Sequence, residues 1–278
     1  MDKLLFFDID GTLATPGHEP SSVTVDAIRK ARENGHKVFI STGRTRGSVP
    51  LPVLDIGFDG GIFSAGGYVM VEDTILSQHF MPDALLQRIL SHLQKDTIFY
   101  VLETADGKFK SENGTAILKQ LDFTQSSSEL QRLTQEVFFG RDLLDISDYQ
   151  GQQVYKVSFF STDFSISDQL SSALEGAAKV VRFDNLVPDF PLVAGEITDY
   201  AISKGTALRD VYEHYHKTAA DCIVFGDSMN DAEILQAAGL GIAMGNAEPR
   251  VIQLADMVCD TCENDGVAKA LYSLNLIP

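Results

Sequence analysis

The chain has 278 residues, of which 44% are hydrophobic, and its formal net charge is −17. This composition supplies a sizeable core, so a disordered chain is not expected. The acidic balance disfavours nucleic acid and anionic membranes as partners. The sequence contains no secretory pattern and no apolar run of membrane-spanning length, and its three cysteines make no even disulfide framework. We therefore expect a cytoplasmic protein without a membrane or nucleic-acid partner, and the sequence identifies no protein partner.

The N-terminal part of the chain alternates short apolar runs with a helical pattern. Strands are predicted at residues 4–7, 38–40 and 60–63. Between the first two, Ser21 or Ser22 can cap a helix that runs to Asn34, and Gly35 supplies the stop. Continuous apolar strands separated by helices are typical of a parallel sheet that is covered on both faces.

The middle of the chain has a different pattern. Residues 154–159 form an alternating strand, residues 164–175 read as a helix, and Ser126 and Glu129 have capping-box spacing before another helix. This mixture indicates an α+β insertion. We predict a core domain made of residues 1–82 and 189–278, interrupted by a cap domain at residues 83–188.

The C-terminal part returns to the first pattern. Helices are predicted at residues 204–216, 231–238 and 266–274, and strands at 222–225 and 240–244. Pro249 suits the first turn of a further helix. The predicted fold class is therefore α/β, a doubly wound and mostly parallel sheet with an inserted α+β domain.

Two carboxylates directly follow the first predicted strand. Asp8 and Asp10 lie at its carboxyl end, where parallel sheets bind ligands, and strand alternation would send both to the same side. Neighbouring carboxylates repel, so they require a cation or a shared proton. One could then act as a nucleophile while the other handles protons. An Asp-rich turn is the alternative explanation.

A second polar cluster follows the strand at residues 222–225. It contains Asp227, Asn230 and Asp231. Hard cations such as Mg²⁺ prefer oxygen ligands, and Asp8, Asp10 and Asp227 would form a suitable partial shell. Helix capping explains one acidic residue here, but it does not explain a matching cluster after the first strand.

Two further positions could bind an anion. Thr42 and Gly43 end the second strand, where a hydroxyl and a backbone N–H could hold a phosphoryl oxygen, although an ordinary turn has the same sequence. Lys204 opens a helix, where the dipole disfavours a cation, so it could serve an anion or be a solvated lysine. Arg44 and Arg46 could face a substrate or be solvated.

Together these segments resemble the haloacid dehalogenase-like (HAD-like) phosphatases, in particular the Cof-type branch with a large α/β cap (subfamily IIB). The motifs are DIDGT at 8–12, TGR at 42–44, KG at 204–205 and GDSMND at 226–231, with later motifs MGNA at 244–247 and NDGV at 264–267. The chain departs from the branch at residues 65–67, where AGG replaces the frequent Asn-Gly-Ala, so a substrate contact from that asparagine is not expected.

The resemblance implies a Rossmann-like core and a function. Asp8 would attack phosphorus to form an aspartyl-phosphate, with Asp10 as general acid and base. Mg²⁺ would bind to Asp8, to Asp227 and to the backbone carbonyl of Asp10, and Asp231 would orient Lys204 or a metal-bound water. The transferring group would be positioned by Thr42, Gly43, Lys204 and Asn230. The expected substrate is a small phosphorylated metabolite, either a sugar phosphate or a phosphorylated cofactor.

Two other functions share much of this chemistry. A phosphoryl-transfer mutase would use the same residues and return the phosphate to a sugar hydroxyl. A receiver-type signalling module also combines a phosphoacceptor Asp with a Ser or Thr, a Lys and Mg²⁺. Such modules are usually about half as long, and they lack both a cap and the second carboxylate two residues after the acceptor. Product analysis separates the first alternative, and the lifetime of phosphorylated Asp8 separates the second.

Overall fold

The computed structural model describes residues 2–15, 17–113, 143–183 and 192–278. The chain divides into two compact units. The first consists of Met1–Gln78 and Ser203–Pro278, and the second consists of His79–Ile202. Each unit has its own β-sheet.

The strands and helices of the described residues follow in chain order. The strands are β1 Leu4–Phe7, β2 Lys37–Ser41, β3 Gly60–Phe63, β4 Tyr68–Val71, β5 Thr74–Gln78, β6 Ile98–Thr104, β7 Lys108–Lys110, β8 Leu143–Asp145, β9 Val154–Ser161, β10 Ala178–Phe183, β11 Val193–Asp199, β12 Cys222–Gly226, β13 Leu240–Ala243 and β14 Met257–Val258. The helices are α1 Ser22–Glu33, α2 Leu51–Leu54, α3 Asp83–Leu93, α4 Ile166–Ala173, α5 Lys204–His214, α6 Ala232–Ala237, α7 Pro249–Leu254 and α8 Gly266–Ser273. Within these ranges, no helix has both the length and the apolar character that crossing a bilayer requires.

The first unit contains an eight-stranded sheet in the order β14-β13-β12-β1-β2-β3-β4-β5. The strands from β14 to β3 run parallel, and β4 and β5 complete the sheet as antiparallel neighbours. All four side chains of β1 are fully buried. Strand β1 is therefore a central strand, and its carboxyl end lies beside those of β2 and β12.

Alternation along β1 explains why helices cover both faces of this sheet. Leu5 and Phe7 belong to a hydrophobic cluster that contains residues of α1 and α8. Leu4 and Phe6 belong to a second cluster, which contains residues of α5, α6 and α7. Successive side chains of a strand point to opposite faces. The prediction of a doubly wound, mostly parallel sheet is confirmed.

The second unit contains a six-stranded sheet in the order β10-β11-β9-β6-β7-β8. Every pairing is antiparallel except that between β7 and β8. Helices α3 and α4 contribute to one hydrophobic cluster with residues of β6 and β9. The helix predicted after Ser126 lies outside the described residues.

The boundaries of the second unit differ from those predicted. The predicted boundary placed Val193–Asp199 in the core domain, but this strand, β11, pairs with β9 and β10 in the second sheet. The second unit also begins earlier, at His79 rather than at residue 83. A buried strand of mixed sequence can belong to either sheet, so strand pairing decides the assignment and periodicity cannot.

The sheet of the second unit also carries a buried charged cluster. Lys156 of β9 forms ion pairs with Glu196 of β11 and with Glu103 of β6, at 3.3 Å from Nζ to Oε1 of Glu103. Ser158 donates to Glu103 at 2.8 Å. All four residues are at most 2% exposed. A buried lysine between two glutamates has its charge compensated, which limits the cost of removing it from water.

Candidate active site

The loop that follows β1 is a tight turn against the loop after β12. The backbone N–H of Asp8 still donates to Phe225 of β12, at 3.0 Å, so Asp8 extends the parallel ladder. Gly11 has φ +88°, and a Cβ at this residue would lie 2.1 Å from Oδ2 of Asp227. Only glycine combines this backbone conformation with so close an approach. The turn therefore places Asp8 and Asp227 at the same edge of the sheet.

Lys204 lies at the centre of the site. Its Nζ donates to Oδ1 of Asp8 at 2.9 Å, to Oδ1 of Asp231 at 2.7 Å and to Oδ1 of Asn230 at 3.1 Å. The side chain is fully buried. Burial alone would lower the pKa of Lys204, but the carboxylates of Asp231 and Asp8 outweigh burial and raise it above its ordinary value. Lys204 is therefore an ammonium ion that holds Asp8 in place.

The start of α5 explains how a lysine comes to be held there. Ser203 caps the helix by accepting from the backbone N–H of Thr206 at 3.1 Å. The hydroxyl of Thr206 accepts from the backbone N–H of Ser203 at 2.9 Å, which completes a capping box. The cap fixes the first turn, and Lys204 extends from it towards the carboxylates. The unfavourable position of a lysine at a helix start is thus offset by two anions.

Asp231 organises the loop that carries Asp227. Its Oδ2 accepts from the backbone N–H of Asp227 at 3.1 Å and from that of Ser228 at 3.3 Å. Its other oxygen contacts Lys204. The contact between Asp231 and Lys204 is therefore present, whereas its role in catalysis remains a prediction.

Three carboxylates converge at this edge of the sheet. Asp8, Asp227 and Asp231 each offer an oxygen, and these oxygens lie within 4.8 Å of one another. Lys204 supplies one positive charge, which leaves two negative charges in this set. Hard divalent cations take oxygen ligands of this kind. Asp8 and Asp227, the two side-chain ligands predicted for magnesium, both belong to this set.

Asp10 lies close in sequence but has a different partner. Its carboxylate accepts from Nε and Nη2 of Arg44, each at 2.8 Å. Asp10 and Arg44 are 4% and 6% exposed. Strand β1 ends at Phe7, so the alternation that would turn both carboxylates to one side does not extend to Asp10. Its proposed metal contact, through the backbone carbonyl, stays a prediction.

Arg44 was not identified from the sequence as a paired residue. It follows Thr42 and Gly43 at the end of β2, and solvation was as good an explanation. The neighbouring Arg46 is indeed exposed. The strand before Arg44 pairs with β1, so a cation after one strand end lies near the anions after the other, and the sequence alone did not show this pairing.

Two of the residues predicted to bind phosphate, Thr42 and Gly43, lie directly after β2. Thr42 is buried, its backbone N–H donates to Ile62 at 2.8 Å, and its hydroxyl accepts from the backbone N–H of Arg44 at 3.1 Å. Gly43 is buried beside it. Both follow β2, the parallel neighbour of β1. Their contact with a phosphoryl group stays a prediction.

Asn246 is a supporting residue that lies in one of the later motifs. Its Nδ2 donates to the carbonyl of Gly11 at 2.8 Å, and its Oδ1 accepts from the backbone N–H of Cys262 at 2.8 Å. The side chain thus ties the turn after β1 to the segment before α8. The motif was recognised in the sequence, but the sequence did not indicate which loops Asn246 connects.

The fold and this acidic edge with its buried lysine are those of a hydrolase of the HAD-like class. A family model described as haloacid dehalogenase-like hydrolase matches residues 5–271. The chain belongs to this family, as its motifs predicted, and the prediction of an enzyme is confirmed.

The chain is similar to named phosphatases over its whole length. The phosphatase YwpJ of Bacillus subtilis is 27% identical, over 98% of this chain and 99% of its own. The HMP-PP phosphatase of Yersinia pseudotuberculosis is 28% identical, over 98% of this chain and 95% of its own. Among solved structures, the HAD subclass IIB sugar phosphatase BT4131 has a TM-score of 0.79 at 22% identity, covering 99% of this chain and 100% of that one. This likeness shows a shared fold.

Proposed function

We propose that the protein is a Mg²⁺-dependent phosphatase that hydrolyses small phosphorylated metabolites through an aspartyl-phosphate on Asp8. The observation that carries this proposal is the convergence of Asp8 with Asp227 and the buried Lys204 at the carboxyl ends of parallel strands. A carboxylate nucleophile needs positive charge beside it when it approaches a phosphate dianion. The site offers a fixed ammonium and oxygen ligands for a divalent cation.

The reaction would proceed in two steps. An oxygen of Asp8 attacks phosphorus, the bond to the leaving oxygen breaks, and Asp10, which enters this step as the carboxylic acid, gives that oxygen its proton. Asp10 then takes a proton from water, which attacks phosphorus, releases inorganic phosphate and restores the carboxylate of Asp8. Lys204, Asn230, Thr42 and Gly43 would hold the phosphoryl oxygens. Mg²⁺, held by Asp8, Asp227 and the backbone carbonyl of Asp10, would offset the charge repulsion between nucleophile and phosphate.

We propose that the second unit, His79–Ile202, selects the substrate. The residues at the acidic edge are those that a phosphate and its cation require, and they offer little to distinguish one alcohol from another. A relative named HMP-PP phosphatase and a sugar phosphatase of the same fold support small phosphorylated compounds as substrates, and we propose sugar phosphates or phosphorylated cofactors. We further propose that the protein acts in the cytoplasm.

A phosphate-release screen tests the proposal. Sugar phosphates, nucleotides, flavin phosphate and pyridoxal phosphate are incubated with the protein and Mg²⁺, with and without EDTA. We expect metal-dependent release of phosphate from some of them and none from Asp8→Asn. Transfer of phosphate to a second sugar hydroxyl would instead favour a mutase, and a long-lived phosphorylated Asp8 without turnover would favour a signalling module. Activity that survives exhaustive chelation would contradict the metal assignment.

A further inference from the structure

The ion pair between Arg44 and Asp10 has a defined geometry. Nε and Nη2 of the guanidinium each donate to a different oxygen of the carboxylate, and both distances are 2.8 Å. Both side chains are almost completely buried. This fork-to-fork arrangement fixes the plane and the direction of the carboxylate, which a single hydrogen bond would not do.

Arg44 is itself held in place by several contacts in the first unit. Its backbone N–H donates to the hydroxyl of Thr42 at 3.1 Å, and its carbonyl accepts from the backbone N–H of Ser64 at 2.8 Å. Its Nη1 donates to the carbonyl of Ser48 at 3.3 Å. The backbone of Arg44 is therefore held by the loops after β2 and β3, its guanidinium is held by Ser48, and the side chain can impose an orientation on Asp10.

Each of the two carboxylates in the first motif thus has its own cation. Lys204 contacts Asp8 at 2.9 Å, and Arg44 contacts Asp10 at 2.8 Å. The nucleophile attacks phosphorus from the side opposite the leaving-group oxygen, whereas the general acid must reach that oxygen. The two carboxylates therefore need independent orientation.

We propose that Arg44 is a positioning residue that directs Asp10 towards the leaving-group oxygen. This inference rests on the proposed function, because it assigns the orientation of the group that acts there as general acid. Arg44 acts through Asp10 and does not itself contact the phosphoryl group. Its removal therefore slows the release of basic leaving groups, which require a proton, more than the release of groups that depart as anions.

Two small aryl phosphates separate these cases. Phenol is a more basic leaving group than 4-nitrophenol, and the two phosphates are otherwise alike. Misplacing a catalytic group costs about 10²-fold in rate, so Arg44→Gln should lower kcat/KM for phenyl phosphate by about 10²-fold. The loss for 4-nitrophenyl phosphate should be several times smaller. Arg44→Lys keeps the charge without the two-pronged contact and should fall between wild type and Arg44→Gln.

A double-mutant cycle tests whether Arg44 acts through Asp10. We expect Arg44→Gln to slow phenyl phosphate hydrolysis strongly in the wild-type background and only slightly in the Asp10→Asn background. The inhibition constant of inorganic phosphate should be unchanged by Arg44→Gln. Arg46→Gln, at the exposed neighbouring arginine, is the matched control and should leave both substrates unaffected.

Several results would overturn the inference. Equal slowing of both substrates, additive effects with Asp10→Asn, or weaker inhibition by phosphate would each mean that Arg44 serves the fold or the phosphoryl group. Circular dichroism and thermal unfolding check that the variants fold, and Arg44→Lys carries the comparison if Arg44→Gln does not. If the wild type hydrolyses no phosphate in the screen, the proposed function itself fails and the inference falls with it. If wild type and Asp10→Asn behave as proposed and only Arg44→Gln does not, this inference alone is wrong.

Discussion

The fully buried Lys204 provides a direct test of the electrostatics of the site. Replacing it with methionine keeps much of the side-chain volume and removes the ammonium that contacts Asp8 and Asp231. The three carboxylates whose oxygens lie within 4.8 Å of one another would then lose their compensating charge. Removing one partner of a buried ion pair typically costs about 3–5 kcal/mol. We expect a loss of this size in the free energy of unfolding, together with loss of turnover.

The pH dependence gives this prediction a defined sign. The pKa of Lys204 is raised above its ordinary value of 10.5 in the folded protein. A group of this kind stabilises the fold fully below its unfolded pKa, and its contribution is lost only as the pH rises through the higher folded pKa. The destabilisation caused by Lys204→Met should therefore stay constant between about pH 7 and 9.

Urea unfolding followed by circular dichroism, in the absence of Mg²⁺, measures the free energy of unfolding and its dependence on pH. Lys269→Met is the matched control, because Lys269 pairs with Asp260 at the surface with 58% of its side chain exposed. Exposed ion pairs contribute little, so this variant should have nearly the wild-type free energy of unfolding. If Lys204→Met were as stable as the control at neutral pH, the carboxylates would not depend on Lys204 and the reasoning would be refuted.

The remaining predictions concern the nucleophile, the metal and the second unit. Asp8→Asn should abolish phosphate release while the circular dichroism spectrum stays that of wild type, and near-normal turnover by the pure variant would reject the mechanism. Asp227→Ala should raise the Mg²⁺ concentration needed for half-maximal phosphate release, and an unchanged requirement would exclude Asp227 as a ligand. Lys156→Met should destabilise the fold by about 3–5 kcal/mol in urea unfolding, because Glu103 and Glu196 stay buried without their cation. Adding Glu103→Gln to that variant should recover part of the loss, and no recovery would show that charge is not the cause.

Several strands of the first unit could be predicted because their signals are local. Leu4–Phe7 is a continuous apolar run that an aspartate ends, and β12 has the same form. Strands of this kind are buried on both faces, which requires helices on both sides. Helix α5 was predicted to begin at Lys204, and it does so because the capping residue before it is a local feature.

The domain boundary could not be predicted in the same way. Strand β11 is buried over most of its length although its sequence is mixed, and it pairs with β9, more than thirty residues earlier in the chain. Pairing depends on which edge is available in three dimensions, and periodicity does not report it. The predicted cap therefore ended too early.

The sequence by itself determined which residue types stand at the carboxyl ends of the strands. Asp8, Asp10 and Asp227 each directly follow an apolar run or lie within a few residues of its end, and a parallel sheet collects such ends at one edge. The tertiary structure decided which cation each carboxylate contacts. Lys204 is 196 residues from Asp8 and Arg44 is 34 residues from Asp10. The order of the strands in the sheet sets these pairings, because it depends on contacts between segments that are distant in the chain.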